Sequence, residues 1–391
     1  MTPAAHLAAA IDILDRINAG TPAEVALTGW ARGSRYAGSG DWAAVRDLVF
    51  DALRRRRSAA AMGGGTTGRA LVIGLLRNRG VEPGDLFGAG PHAPPPLSEG
   101  EARAPVDLAS LPRAVRLDYP DWLEEALARS LGGDLAPVMA RMRERAPVFL
   151  RANLRKTTRE GAIETLGRES IKARPHPLCE TAIEVTLNAR RIRGAQAWRK
   201  GLVELQDAAS QAVVAELPLP GEGRILDYCA GGGGKALAMA APSGAGITAH
   251  DAHPRRMKDL PVRAERAGVV ITIAETDALA ARAPFDLVLC DMPCSGSGSW
   301  RRDPAGKWAL NAEKLRQLKA LQRDILARAA PLVAPGGALA YATCSLLAEE
   351  NEGQVDIFLQ QNPAFRRERQ RRFSVLEGGD GMFVAVLRRQ W

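Results

Sequence analysis

The residues best equipped for chemistry in this chain are one carboxylate and two thiols: Asp291, Cys294 and Cys344. Asp291 and Cys294 stand in Asp291-Met292-Pro293-Cys294-Ser295-Gly296-Ser297-Gly298, and Cys344 stands in Tyr341-Ala342-Thr343-Cys344-Ser345. Each segment follows an apolar run of strand type, so both thiols are expected where strands end. A thiolate can add to C6 of a cytosine ring and make C5 enamine-like, able to take an electrophilic carbon. A carboxyl group hydrogen-bonded at N3 stabilises or protonates the ring as charge develops. A base must then remove the C5 proton before the thiolate leaves. Hydride transfer has no use for this set. Cys229 and Cys290 fall within apolar strand runs and read as core residues.

A second group of residues points to a nucleoside-bearing cofactor. Asp227-Tyr228-Cys229-Ala230 runs into Gly231-Gly232-Gly233-Gly234-Lys235, a strand-to-helix turn where the backbone can approach a ligand closely. Gly231, Gly233 and Ala236 match the spacing of a dinucleotide-binding turn. A phosphate-binding P-loop is excluded, because Ala236 replaces its Ser or Thr and Cys229 its first Gly. Asp251, at the next strand end, can accept both hydroxyl hydrogens of a ribose. Asp277, after the third strand, is placed to meet an adenine edge. These groups leave NAD and S-adenosylmethionine as alternatives, and the thiol-bearing strand ends favour the second.

The elements that must position these residues follow from hydrophobic patterning. Strand-type runs at Ile225–Cys229, Gly246–Asp251, Val269–Ala274, Phe285–Asp291 and Ala338–Ser345 alternate with helical patterns, notably Ala312–Ala330 and Asn351–Gln361. This predicts an α/β fold with a doubly wound, Rossmann-like parallel sheet, its ligands outside the carboxyl ends of the strands. Pro261 is expected to kink the helix after Asp251. Upstream, Leu7, Ile11, Leu14 and Ile17 recur at helical spacing, and Trp42–Leu53 and Arg69–Arg79 are amphipathic, predicting an all-helical domain over 1–90. Residues 91–115 hold Pro94-Pro95-Pro96 and read as a linker. Residues 116–200 mix helical and strand patterns and are rich in Arg151, Arg155, Lys156, Arg159, Arg190, Arg191, Arg193, Arg199 and Lys200. A small α+β nucleic-acid-binding unit suits them, and 201–391 form the large sheet domain.

Composition agrees with a polyanionic partner: 53 Lys and Arg against 44 Asp and Glu give a formal charge of +9 over 391 residues. The five cysteines include no Cys-x-x-Cys pair, which argues against a disulfide framework or zinc site and for a reducing, cytoplasmic setting. No signal peptide or membrane span is expected.

With these residues in place, the sequence resembles the RsmB/Sun family of RNA cytosine-5 methyltransferases, in its bacterial RsmB-like branch. The resemblance covers about residues 116–391. It runs from Gly201-Leu202-Val203-Glu204-Leu205-Gln206-Asp207-Ala208-Ala209-Ser210 through the glycine loop and the Asp291–Gly296 segment. It continues through Arg301-Arg302-Asp303-Pro304, Lys307-Trp308, Pro335-Gly336-Gly337, Thr343-Cys344-Ser345, Glu350-Asn351-Glu352 and Asp380-Gly381-Met382-Phe383. The resemblance implies that Cys344 is the nucleophile, that Cys294 assists product release, and that Asp291 and Lys235 contact the target base. It implies S-adenosylmethionine held by Cys229, Ala230, Gly231, Gly232, Gly233, Gly234, Lys235, Asp251, Arg256, Asp277 and Asp291. It further implies an RRM-like RNA-binding unit over 116–200, a NusB-like helical extension, an RNA partner (ribosomal rather than transfer RNA), no metal and a monomer. Gly231-Gly232 replaces the family's usual Ala-Pro, and Met292 a usual Ala. The alternatives are a nicotinamide-dependent oxidoreductase and an inactive RNA-binding or ribosome-assembly factor on the same scaffold.

Overall fold

A computed structural model describes all 391 residues and divides them into two compact units: residues 1–145 with 300–310, and residues 146–299 with 311–391. The second unit holds both sheets. Its large sheet comprises β5 (Arg224–Asp227), β6 (Gly246–Ala249), β7 (Ile271–Ile273), β8 (Phe285–Asp291), β9 (Val333–Thr343), β10 (Phe365–Phe373) and β11 (Met382–Arg389), and its small sheet holds the four earlier strands. The large sheet runs β10-β11-β9-β8-β5-β6-β7. The five strands from β9 to β7 are parallel, while β11 is antiparallel to both its neighbours.

Both faces of this sheet are covered, which is why its strands read as unbroken apolar runs. Ile225, Leu287, Leu289, Ala340 and Val384 pack to one side, and Leu226, Val288, Cys290, Leu339 and Phe383 to the other. Strand order reverses between β5 and β8, so a crevice opens at the ends of those two strands. The hairpin of β10 and β11 extends the five expected strands to seven. β10 is an edge strand, and its run Arg366-Arg367-Glu368-Arg369 hides any apolar alternation while guarding an open edge against pairing. Pro261 does not kink a helix: it lies at the first turn of Leu260–Ala267, where its missing N–H costs nothing.

The small sheet holds β1 (Val148–Ala152), β2 (Lys172–Pro175), β3 (Ala182–Leu187) and β4 (Val203–Leu205), ordered β2-β3-β1-β4 and antiparallel throughout. The helix Arg159–Arg168 joins β1 to β2, and short helical turns over 189–199 join β3 to β4, giving a βαββαβ chain order. Leu150, Ile183, Val185 and Val203 pack under these helices with Leu166 and Ile192. The opposite face carries Phe149, Arg151, Ala182 and Glu204, and these too are removed from solvent by the large domain. Phe149 and Ala182 meet Ala208, and Glu204 pairs with Arg266 at 2.7 Å. β4 thus belongs to the small sheet although it lies past residue 200.

The first unit is helical: Pro3–Asn18, Ala23–Gly33, Ser39–Arg54, Arg56–Gly63 and Gly68–Asn78 enclose Ile13, Leu14, Leu27, Val45, Leu53 and Leu71. Residues 113–142 form short helices within this same unit, although their sequence pattern suggested the α+β unit. Asp118 shows why: fully buried, it accepts from the Arg57 amide at 3.0 Å and from the Ser58 amide and hydroxyl, both at 2.9 Å. The family-like segment Arg301–Trp308 also packs here. Lys307, 1% exposed, donates to the carbonyls of Arg54 at 3.0 Å and Asp118 at 2.6 Å, and Trp308 Nε1 donates to Leu53 O at 2.6 Å. No helix is long and apolar enough to cross a membrane.

Candidate active site

The strand ends of β5, β6, β8 and β9 enclose a cavity of about 600 Å³, within the range of a small-ligand site. Along its floor runs the loop after β5. Gly231 and Gly233 have φ of +54° and +79°, a region that side chains with a Cβ avoid. A Cβ on Gly233 would also lie 2.3 Å from Leu260 Cδ1, so this position needs glycine twice over. Two side chains bond the loop's backbone. The Gly231 amide donates to Asp251 Oδ2 at 2.9 Å, and the Arg263 guanidinium donates to the Gly232 carbonyl.

Asp251 is 4% exposed and also accepts from the His253 amide at 2.9 Å and from Arg256 Nη1 at 3.1 Å. A carboxylate offers about four acceptor directions, so one is left for a ligand hydroxyl. Cys229, Ala230, Gly231, Gly232, Gly234, Lys235, Asp251, Arg256 and Asp291 all line the cavity, whereas Gly233 supports the loop from behind. Asp277 is exposed and stands outside the wall. The neighbouring Thr276 lines the cavity, bonded through Oγ1 to the buried His250 at 2.9 Å. An adenosine-bearing cofactor fits these groups: a glycine turn for close approach, a buried carboxylate with a free acceptor direction, and polar atoms on the third strand end.

The opposite wall gathers the four reactive side chains. Lys235 Nζ donates to Asp291 Oδ2 at 2.6 Å, and the sulfurs of Cys294 and Cys344 lie 3.4 Å apart. Fifty positions separate the thiols in sequence, and the parallel pairing of β8 with β9 unites them. Burial alone would push the Lys235 ammonium down, but the Asp291 charge and hydrogen bond outweigh it and leave the group raised. The thiol–thiol hydrogen bond holds Cys344 below the ordinary thiol range, against burial and Asp291 and with help from Lys235. The same bond, burial and the Cys344 and Glu350 charges push Cys294 well above that range. The two sulfurs are thus pushed in opposite directions, Cys344 toward the thiolate and Cys294 toward the thiol. Cys290 is core, and burial raises it; Cys229 is raised by burial too, but it faces the cavity past the end of β5. Met292 is 4% exposed and forms part of the wall.

Three residues to which the sequence alone gave no role belong to this centre. Asp227 ends β5 fully buried, and both its side-chain oxygens lack a hydrogen-bond partner. Burial, then the Asp291 charge, push its carboxyl up to about 7. Its signal in the sequence was a charge closing an apolar run. Gln206 lines the cavity and bonds Arg151 and the Gly234 carbonyl. Glu350 accepts from Ser295 and Ser345, the residues after the two thiols, and only its place in Glu-Asn-Glu had marked it.

Of the basic residues of 151–156, Arg151 is buried, and Arg155 and Lys156 are exposed but hydrogen-bonded. Arg151 is 5% exposed and donates to Gln206 Oε1 and, at 3.0 Å, to the Gly234 carbonyl. Arg155 reaches the Ala240 carbonyl at 3.3 Å, and Lys156 the carbonyls of Lys200 and Arg266 at 3.1 and 2.6 Å. Carbonyls at helix ends and turns need donors, and these cations supply them. Arg190, Arg191, Arg193 and Arg199 are exposed and make no ion pair.

Comparison with known proteins agrees with this architecture. Residues 214–388 match the family described as 16S rRNA methyltransferase RsmB/F, and residues 119–190 match the RsmF/B-like methyltransferase ferredoxin-like domain. The chain is 34% identical over 291 residues to the ribosomal RNA small subunit methyltransferase B of Salmonella arizonae, and 32% identical over 288 residues to that of Salmonella paratyphi B. Each alignment covers 70% of this chain and 66% of the relative, just under two thirds of its length. In fold, the chain is similar to the crystal structure of PH0851 (TM-score 0.76, 22% identity, 100% of this chain and 99% of that one). It is also similar to NSun6 from Pyrococcus horikoshii with SFG (TM-score 0.62, 19% identity, 69% and 98%). On the two family matches and the curated relatives together, the chain belongs to the RsmB/F family of methyltransferases.

Proposed function

We propose that this protein methylates C5 of cytosine in RNA, ribosomal RNA before transfer RNA, using S-adenosylmethionine. The observation that carries the reading is the pair of sulfurs 3.4 Å apart beside the Lys235–Asp291 pair, on the wall of the cavity that the glycine loop floors. A nicotinamide site has no need of that wall. The intact set also argues against an inactive scaffold.

The cofactor supplies an electrophilic methyl group on a positively charged sulfur. Asp251, Thr276 and the Cys229–Gly234 backbone would hold its adenosine, with Arg256 at the rim. The chain's own residues activate the base. The Cys344 thiolate adds its electron pair to C6, and the C5=C6 pair moves onto C5. Asp291 and Lys235 share a proton at 2.6 Å, and as negative charge spreads into the ring that pair delivers a proton to N3 and neutralises it. Once C5 carries the new carbon, a water molecule acting as base takes the C5 proton and the C–H pair re-forms the C5=C6 bond. Cys344 leaves as thiolate, and N3 returns its proton to the Lys235–Asp291 pair. Cys294, held as a thiol beside the leaving sulfur, assists that departure.

For RNA, the unpaired Arg190, Arg191, Arg193 and Arg199 fit phosphate contacts, and the buried sheet face with Phe149 does not. The domain roles follow: 146–205 carries this RNA surface, the large domain the chemistry, and the helical unit further RNA contact. The test is incubation with methyl-labelled S-adenosylmethionine and unmodified small-subunit ribosomal RNA, followed by bisulfite sequencing. A protected cytosine that requires Cys344 supports the reading, and label at a base nitrogen or a ribose oxygen rejects it.

A further inference from the structure

Glu350 is fully buried, at 0% exposure, and makes no ion pair. Its carboxylate accepts four hydrogen bonds: from the Ser295 amide at 2.8 Å and hydroxyl at 2.5 Å, the Ser345 hydroxyl at 2.6 Å and the Gln322 side-chain amide at 3.1 Å. Ser295 directly follows Cys294, and Ser345 directly follows Cys344. One carboxylate thus grips the residue after each thiol. The Ser297 hydroxyl closes the ring at 3.1 Å from both serine hydroxyls. Gln322 also donates to the Pro293 carbonyl at 2.9 Å, and the Tyr341 hydroxyl donates to the Glu350 carbonyl at 2.5 Å, so the clamp is anchored from the helix and the strand beside it.

A buried carboxylate without a cation is costly, and an apolar residue of similar size would serve packing better. The charge therefore needs a reason, and its neighbours supply one. We propose that Glu350 is a positioning residue of the two-thiol site: its carboxylate ties the Cys294 loop to the Cys344 loop, fixes the sulfurs at 3.4 Å, and places a negative charge on the Cys294 side. That charge disfavours a thiolate at Cys294 and leaves the pair's proton there, with Cys344 as the nucleophile. The other charged groups facing the pair are Lys235, Asp291 and Asp380, all on the Cys344 side. The inference rests on the thiol roles proposed above.

Glu350→Gln keeps the shape and removes the charge. The expected result is cofactor affinity and RNA KM within about threefold of wild type and kcat reduced at least about tenfold, the scale of a small misplacement of reacting groups. Iodoacetamide at about pH 8, read by mass spectrometry of each thiol, should label Cys294 about tenfold faster than in wild type. Ser295→Ala and Ser345→Ala each cut one tie and keep the charge; kcat should fall roughly three- to tenfold with the alkylation preference for Cys344 unchanged. A Glu350→Gln protein with wild-type kcat and wild-type alkylation overturns the proposal. So does an equal loss of kcat, cofactor affinity and Tm in all three variants, the pattern of a general core residue. If Glu350→Gln does not fold, the serine variants decide: unaltered kcat in both refutes the clamp. A wild-type protein that neither methylates RNA nor forms an adduct with it sinks the underlying reading instead, and the alkylation preference still reports on Glu350.

Discussion

The strand ends of the large sheet and the basic run of the small sheet invite the same kind of reading, and the structure treats them oppositely. At the large sheet, Asp291, Cys294, Cys344 and Lys235 converge on one cavity and keep free faces toward it. At the small sheet, Arg151 is buried, and Arg155 and Lys156, though exposed, commit their charged ends to carbonyls of the large domain. Side chains just past the ends of β8 and β9 face the crevice, because the two strands pair in parallel and stop side by side. A long basic side chain has a choice, and it folds back wherever an unsatisfied carbonyl lies within reach. Residue type therefore announces function only where the fold leaves a group without an internal partner.

The largest effect expected from breaking this comparison is at the thiols. Cys344→Ala should lower turnover by at least about 10⁴-fold and form no RNA adduct, while Cys294→Ala should still attack and should accumulate a protein–RNA species that survives heat and detergent. Adding Cys344→Ala to Cys294→Ala should remove that species. Denaturing gels after incubation with RNA and cofactor read both outcomes, and an adduct in Cys344→Ala alone would reverse the roles.

Next comes Arg151. Arg151→Leu strands Gln206 Oε1, leaves the Gly234 carbonyl with one donor fewer, and should cost about 1–3 kcal/mol of stability, seen in urea unfolding. The slope of RNA affinity against salt should not change. A stable variant with a shallower slope would restore Arg151 to the RNA surface.

Asp251→Ala should weaken S-adenosylmethionine binding by about 1–3 kcal/mol, the cost of unmade polar interactions in a buried site, with part of it arising from the released Gly231 amide. Calorimetry giving equal affinity for both proteins removes Asp251 from the cofactor site.

The smallest effect per residue belongs to the free arginines. Replacing Arg190, Arg191 and Arg193 with Gln should leave Tm within about a degree, since surface changes are nearly neutral. The log–log salt slope of RNA binding should become shallower by about 0.7–0.9 for each phosphate that is no longer neutralised. An unchanged slope would move RNA recognition off this surface.

Much of this protein was legible before its structure. The parallel strands, the three early helices and the strand β1 follow from apolar periodicity, which a buried sheet face or a helix stripe imposes on any chain. Asp291, Cys294 and Cys344 stood out because strand ends in a doubly wound sheet share one edge. β10 escaped the pattern since an edge strand with charges on both faces has none. Pro261 was misplaced because a proline says where a helix cannot continue but not whether one has begun. The tertiary structure alone decided which basic residues stay free, that Thr276 rather than Asp277 lines the cavity, that Arg301–Trp308 packs with the helical unit, and that Glu350 binds the residue after each thiol. Each of those outcomes depends on partners distant in sequence, and local chemistry cannot specify a neighbour that only folding brings near.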